Sequence, residues 1–444
     1  MKLFHSLLFT ILLFPVLTRA QQGDQQRQPC MPGMNMPGCE GADLIVMQPQ
    51  NFLQGVVRHT TSGTSAEPIS TPVPMIMTRK GHWMLMFHAN VFVLDEQQSG
   101  GRGADRFFST NWFMGMAQKK VGPGVFTSRV MVSFEPATVT DRRYPLLFQQ
   151  GETAFGVPIA DGQHPHDFIM EVAALYDLKL SDKSLLSFYR APVGDPAIGP
   201  TGYAHRASAS EDPVAPLGHH QEDSTHVADD VVTLGLTYRI ARIEASGFHG
   251  REPDEFRWDI DQGKIDSWST RLTIEPRKNW GAQYSYARIK SPEALFAGED
   301  QERMTASIMY NRPFHEGNLA STILWGRTRS LQGNPLFNSY LFESTIRFRA
   351  RNSLWTRIEN AERSDELILG ENPLPPGFQE RPIGRVQAYT FGYDRDIELA
   401  SHLASAVGAQ VTTYGAPESL KAIYGSRPAG IAVFLRLRPS REEK

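Results

Sequence analysis

The sequence predicts an all-β protein: a transmembrane antiparallel up-and-down β-barrel of about 16 strands, within a range of roughly 14 to 18, behind a long N-terminal periplasmic segment. Three observations predict it. From residue 82 onward, segments of about ten residues alternate apolar and polar, which is the period of a strand that is greasy on one face and wet on the other. The links between these segments switch regularly between short and long, the habit of a barrel with tight turns at one rim and long loops at the other. Beyond the first twenty residues, no apolar run approaches the roughly 20 residues that a spanning helix needs. A formal charge of −3 gives no basic bias, which argues against a nucleic-acid partner.

Residues 1–20 read as a secretory signal peptide, with Lys2 ahead of the apolar stretch from Leu7 to Leu17 and a small-x-small cleavage site at Thr18-Arg19-Ala20. Export followed by amphipathic strands implies a Gram-negative outer membrane, with both termini in the periplasm. Residues 21–80 open with QQGDQQRQ and end with SGTSAEPISTPVP, a composition expected to be mostly extended or disordered. Within them, Cys30 and Cys39 enclose Met31, Met34 and Met36. Thioether and thiolate are soft ligands suited to Cu(I), and a disulfide closing a small loop in an oxidising compartment is the other reading of the pair.

The stretch GHWMLMFHANVFVLDE, from Gly81 to Glu96, begins the barrel (residues 81–438). Trp83, Leu85, Phe87, Val91 and Val93 form its lipid face, leaving His82, Met84, Met86 and His88 on the inward face as candidate metal ligands. Fifteen further strands are expected at 106–119, 124–134, 167–178, 184–192, 228–240, 242–252, 265–275, 279–290, 301–312, 317–329, 336–349, 353–363, 383–398, 401–414 and 429–438. Residues 439–444 form a tail. Since many outer-membrane barrels end on an aromatic residue, the barrel-assembly machinery is expected to read the preceding strand internally here.

Inward positions include Arg129, Arg239, Glu244, Arg271, Arg303, Glu343, Arg347, Arg357, Glu359 and Arg436, a mixed-charge lumen whose members pair across the wall. Trp112, Trp280, Tyr284, Tyr286, Tyr310, Tyr389 and Tyr393 are expected in the interfacial aromatic girdles.

Two long links carry ligand-type residues. The first contains His164-Pro165-His166-Asp167 and then Glu171; proline keeps the chain extended, so the two imidazoles can point to one side with a carboxylate nearby. The alternative is a loop anchored on the rim by His and Asp hydrogen bonds. The second contains His205-Arg206 and then His219, His220, Asp223 and His226. A short helix from Gly218 would place His219, Asp223 and His226 on one face as a divalent-metal set; the competing reading is a polar network that folds the loop into the lumen as a constriction. A hydrolase built on Ser224 is disfavoured, because no nucleophile elbow is present.

The motifs QHPHDFIMEVAALYD, APVGDPAIGP, HRASASEDPVAPLGHHQEDSTH and ASGFHGREPDE resemble a family of exported bacterial outer-membrane β-barrel proteins over nearly the whole mature chain. That resemblance carries over no catalytic residue. The Met-bearing leader followed by a barrel also resembles, in architecture, the outer-membrane component of bacterial copper resistance, without its Met/His repeats. The expected function is passage or sequestration of a small solute, with copper or another soft metal as the candidate ion; no other cofactor follows from the pattern. A plugged, non-conducting barrel that acts through its external loops is the alternative. The pattern sets no oligomeric state.

Overall fold

A computed structural model describes residues 44–46, 48–223, 228–333 and 335–440. Every alternating segment becomes a strand: β1 Trp83–Gln98, β2 Asp105–Val121, β3 Gly124–Val132, β4 Ile169–Ser181, β5 Ser184–Gly194, β6 Ala228–Tyr238, β7 Ala241–His249 and β8 Ser267–Arg277. The second half is β9 Trp280–Ile289, β10 Gln301–Phe314, β11 Gly317–Ser330, β12 Leu336–Phe348, β13 Asn352–Ser364, β14 Pro382–Ala400, β15 Leu403–Gly415 and β16 Ala429–Pro439. Their ends lie within three residues of the expected ones.

Each strand pairs antiparallel with its neighbours in sequence, and β16 closes on β1 from Val91↔Leu437 to Gln98↔Gly430. Closure removes the free edges that an open sheet would expose in lipid. Below this seam a short strand, Ile76–Lys80, continues the pairing on the same edge of β1, from Ile76↔Phe87 to Lys80↔Trp83. Among the described residues no helix is long and apolar enough to cross a membrane, so the strands are the spanning elements.

The outer face carries Leu234, Leu236, Ile243, Ile308, Phe391 and Val433 exposed, and Ile323 is 60% exposed. An apolar belt of this extent is unfavourable in water and fits acyl chains. Trp280, Tyr284, Tyr389 and Tyr393 stand outward as expected. Trp112 does not. It shares the inward period-two face with Met114 and Met116 and packs on His88 and His205. Arg239 also leaves its expected inward row: β6 ends at Tyr238, and Arg239 occupies the turn with φ 53°, exposed.

The segment expected to be extended or disordered is, from Asn51 on, built into the barrel. Asn51 accepts a hydrogen bond from the Gln54 amide and starts helix α1, Phe52–Arg58, whose Phe52, Leu53, Val56 and Val57 pack on Val125 of β3 and Leu185 of β5. The polar stretch that follows is held because the wall it meets is polar. Arg129 of β3 donates to the carbonyls of His59, Thr61 and Gly63, Arg271 of β8 donates to Thr64 Oγ1 at 2.9 Å, and Ser70 Oγ donates to the Asn311 carbonyl on β10. Low hydrophobicity signalled disorder only on the assumption that water was the alternative environment. Met31, Met34, Met36, Cys30 and Cys39 lie outside the described residues, as do Ser224 and His226.

Candidate functional site

The β1 alternation places Met84, Met86 and His88 on the inner wall, and strand register extends the pattern sideways. Met77 pairs with Met86, which pairs with Met116 on β2; one step along, His88 pairs with Met114, which pairs with Met131 on β3. A β-bulge between Met131 and Val132 leaves Met170 of β4 opposite no single residue, so Met170 and Glu171 both turn inward. Met84, Met86, Met114, Met116, Met131 and Met170 thus form one buried cluster flanked by Met75 and Met77. Two imidazoles edge it: His88 Nε2 is 3.1 Å from Met114 Sδ, and His205 Nε2 is 3.1 Å from Met131 Sδ. His82 is not part of this wall. It sits exposed in the turn before β1.

Beside the thioethers lies a vestibule of 420 Å³, with His88, Trp112 and His205 on one side and Arg347, Arg436 and Arg438 among its other lining residues. A larger groove of 590 Å³, lined by Ile308, Ile323, Tyr340 and Phe342, is on the outward face and belongs to the lipid side.

The link between β5 and β6 crosses the lumen. Ala197 N donates to Ser246 Oγ on β7 and Gly199 N to Ser285 Oγ on β9. Further along, Ser208 Oγ meets Thr322 Oγ1 on β11 at 2.7 Å, and Thr110 Oγ1 of β2 donates to the Pro213 carbonyl at 2.8 Å. Hydrogen bonds to strands around the whole circumference require a chain that lies inside it. Ion pairs clamp this link: Arg206 binds Glu343 Oε1 and Asp223 Oδ2, each at 2.5 Å, Arg357 binds Asp212 at 2.9 Å, and Arg436 and Arg438 bind Glu211 at 2.8 and 2.9 Å. Burial favours the neutral Glu211 carboxyl, but Arg436 and Arg438 outweigh it and hold its pKa low. Burial works against the Arg206 charge as well, and Glu343 and Asp223 reverse the effect.

The N-terminal segment and this loop meet. Gly63 N donates to Glu171 Oε1 at 3.1 Å, Tyr189 Oη donates to the same oxygen at 2.7 Å, and Asp195 N donates to Tyr189 Oη at 3.2 Å. Gly63 has φ 57°, and a Cβ there would stand 2.5 Å from Asp195 Cβ, so no side chain fits.

The loop histidines fall into separate groups. His166 Nδ1 contacts Glu135 Oε2 at 2.9 Å, with Tyr203 on its other nitrogen at 3.4 Å. Asp167 pairs with Arg257 at 3.3 Å, and burial, partly offset by that arginine, raises its pKa to about 6. His219, on the one-turn helix α2, His219–Glu222, contacts Asp223 at 2.6 Å in the expected i, i+4 relation, but Asp223 is occupied by Arg206. His164 and His220 come together around a residue that the sequence did not single out, Glu152, at 3.1 and 3.4 Å from its Oε1. Burial holds both imidazoles well below their usual pKa.

A closed sixteen-strand barrel with a lipid-compatible belt and a polar, segment-filled lumen defines a membrane protein of the outer-membrane type. No family model matches the chain, and no curated protein matches it. Among solved structures it is similar to an anion-selective porin from Comamonas acidovorans, at 10% identity and TM-score 0.49, covering 80% of this chain and 99% of the porin. It is also similar to Salmonella typhi OmpF in complex with daunomycin (9% identity, TM-score 0.48, 81% of this chain and 100% of that one). The outer membrane channel DcaP of Acinetobacter baumannii is a third similar structure (9% identity, TM-score 0.43, 81% of this chain and 99% of that one).

Proposed function

We propose that this protein is a gated outer-membrane channel for a small solute, and that the solute is a soft metal ion of the Cu(I) class taken up from the periplasmic side. The observation that carries the reading is the thioether wall: two cross-strand rows, Met77–Met86–Met116 and His88–Met114–Met131, beside a vestibule bordered by His88 and His205. Methionine sulfur is a polarisable neutral ligand that suits Cu(I) and discriminates against hard cations. A hydrophobic filler role would be served equally by leucine, which has no soft donor. The tight-turn rim, where both ends of the barrel chain lie, faces the periplasm on this reading, so the methionines of residues 31–36 enter the vestibule first.

Met→Leu substitution separates the two roles, because it conserves volume at a cost below about 1.5 kcal/mol. The Met86→Leu/Met114→Leu/Met131→Leu protein, folded in detergent, is expected to lose Cu(I) in competition against a colorimetric chelator while keeping its thermal stability. Cu(I) retention equal to wild type removes the metal role and leaves the barrel.

A second reading, a closed envelope module, is favoured by one observation: a lumen crossed by a loop that buried ion pairs hold on several sides. Planar-bilayer recording distinguishes it, since a permanently closed barrel gives no conductance steps under any condition.

A further inference from the structure

A second, chemically different cation site is built at the long-loop rim, and it does not depend on the thioether reading. Glu152 belongs to a small hairpin of Glu152–Ala154 against Val157–Ile159, His164 follows the two-residue strand Gly162–Gln163, and His220 is on α2. Three separate chain segments therefore deliver two imidazoles and a carboxylate to one point. Their ligating atoms all lie within 4.8 Å of one another. His164 Nε2 is 3.1 Å and His220 Nε2 3.4 Å from Glu152 Oε1. Around a tetrahedral ion with bonds of about 2.0–2.1 Å, neighbouring ligand atoms stand about 3.3 Å apart, so these two separations need almost no rearrangement.

Three further features point to a cation. His164 Nδ1 faces the Pro165 carbonyl at 2.9 Å. A hydrogen bond there fixes the Nδ1–H tautomer and turns the Nε2 lone pair toward the Glu152 oxygen, the arrangement that a metal-bound histidine adopts with its outer partner. Two lone pairs facing one another at that distance repel unless positive charge lies between them. Glu366, fully buried on the helix Glu366–Leu369, lies within electrostatic reach of Glu152, Glu293 and Glu380, and it has no ion-pair partner among the described residues. The only basic side chain paired with Glu152 other than the two histidines is Arg257, at 3.8 Å from the other carboxylate oxygen, which leaves Oε1 free to turn to an ion.

We propose that Glu152 Oε1, His164 Nε2 and His220 Nε2 bind a divalent transition-metal ion, of the borderline class that imidazole and carboxylate select, at the rim opposite the thioether wall. The nitrogen and oxygen set disfavours Cu(I), and two histidines disfavour Ca²⁺ and Mg²⁺. The Glu366 carboxylate supplies long-range charge and is not a ligand. The bound ion ties the small hairpin to the lumenal loop, so its loss loosens the outer mouth without disturbing the wall.

The test uses the full-length, untagged protein folded in detergent. Zn²⁺ retained after gel filtration is counted by elemental analysis, and Co²⁺ is titrated by its visible absorption. One ion per chain is expected, with Co²⁺ absorption of a nitrogen- and oxygen-ligated centre. His164→Ala and His220→Ala are each expected to weaken binding at least 100-fold, with Glu152→Gln weakening it to a similar degree; loss of an outer partner alone costs about 10- to 100-fold. The triple Met→Leu protein is expected to bind Zn²⁺ as wild type does. Heat-modifiable electrophoretic migration checks that each variant is folded, and a variant that fails it is replaced by His164→Asn or His220→Gln. Wild-type protein that elutes free of Zn²⁺ and gives no Co²⁺ absorption overturns the proposal, as does binding that survives all three ligand substitutions in folded protein.

Discussion

Replacement of Arg206 by Met tests whether the lumenal loop is a removable gate. The guanidinium is fully buried and holds three groups at once: Glu343 Oε1 at 2.5 Å, Asp223 Oδ2 at 2.5 Å and the Thr201 carbonyl at 3.0 Å. Methionine keeps much of the volume and removes every donor. Each of the two charge-assisted bonds contributes about 1.5–3 kcal/mol, and removing one partner of a buried ion pair costs about 3–5 kcal/mol. Glu343 keeps Arg357 at 3.4 Å and Asp223 keeps His219, so the lower part of that range applies. A loss of about 3 kcal/mol raises the population of the detached loop by roughly 100-fold. Planar-bilayer recordings of Arg206→Met are expected to show long open events that are rare in wild type, and limited proteolysis is expected to cut within residues 195–223. A variant as closed and as protease-resistant as wild type would refute the assignment of Arg206 as the clamp.

Other perturbations probe the remaining parts. Burial raises the Glu67 pKa from 4.5 to about 7, with Arg206 and a Thr201 hydrogen bond opposing and Glu343 reinforcing. Because the folded value lies above the unfolded one, the stabilisation is complete below about pH 4.5 and lost as pH rises through about 7. Its size is about 3 kcal/mol, so urea midpoints are expected to fall between pH 5 and 8.5 in wild type and to flatten in Glu67→Gln. Phe52→Ala empties a buried position on α1 and is expected to cost about 3–5 kcal/mol of plug docking, read as faster proteolysis before residue 60 with the barrel intact. Gly63→Ala places a Cβ against Asp195 in a left-handed backbone, and increased hydrogen exchange in both residues 59–65 and 195–200 is the expected signature.

The barrel was legible because its rule is local. A strand's alternation is written in consecutive residues, and even Ile323 and Leu324, apolar neighbours on opposite faces, resolve once the outer surface is lipid and the inner surface is packed. Met84, Met86 and His88 could be read from the same alternation. Met114 and Met116 repeat it on β2, and with Trp112 on the same face the signal was present but was assigned to the aromatic girdle. Met131 and Met170 join the wall through register and a bulge, which no single strand encodes. Glu152 was invisible for a different reason: it lies in an aperiodic loop, and its relation to His164 and His220 exists only after three loops have packed on the rim. The burial of residues 51–75 was missed because their polarity matches the inside of a barrel as well as it matches water.

The relay from Gly63 through Glu171 and Tyr189 to Asp195 joins a segment that comes from the tight-turn rim to a loop that hangs from the opposite one. Its four members span the thickness of the barrel without requiring any strand to move. Traction on the N-terminal segment from one side of the membrane is therefore delivered directly to the loop at the other mouth, as a cord runs inside a rigid sleeve, and the wall serves as a guide instead of a transmitter.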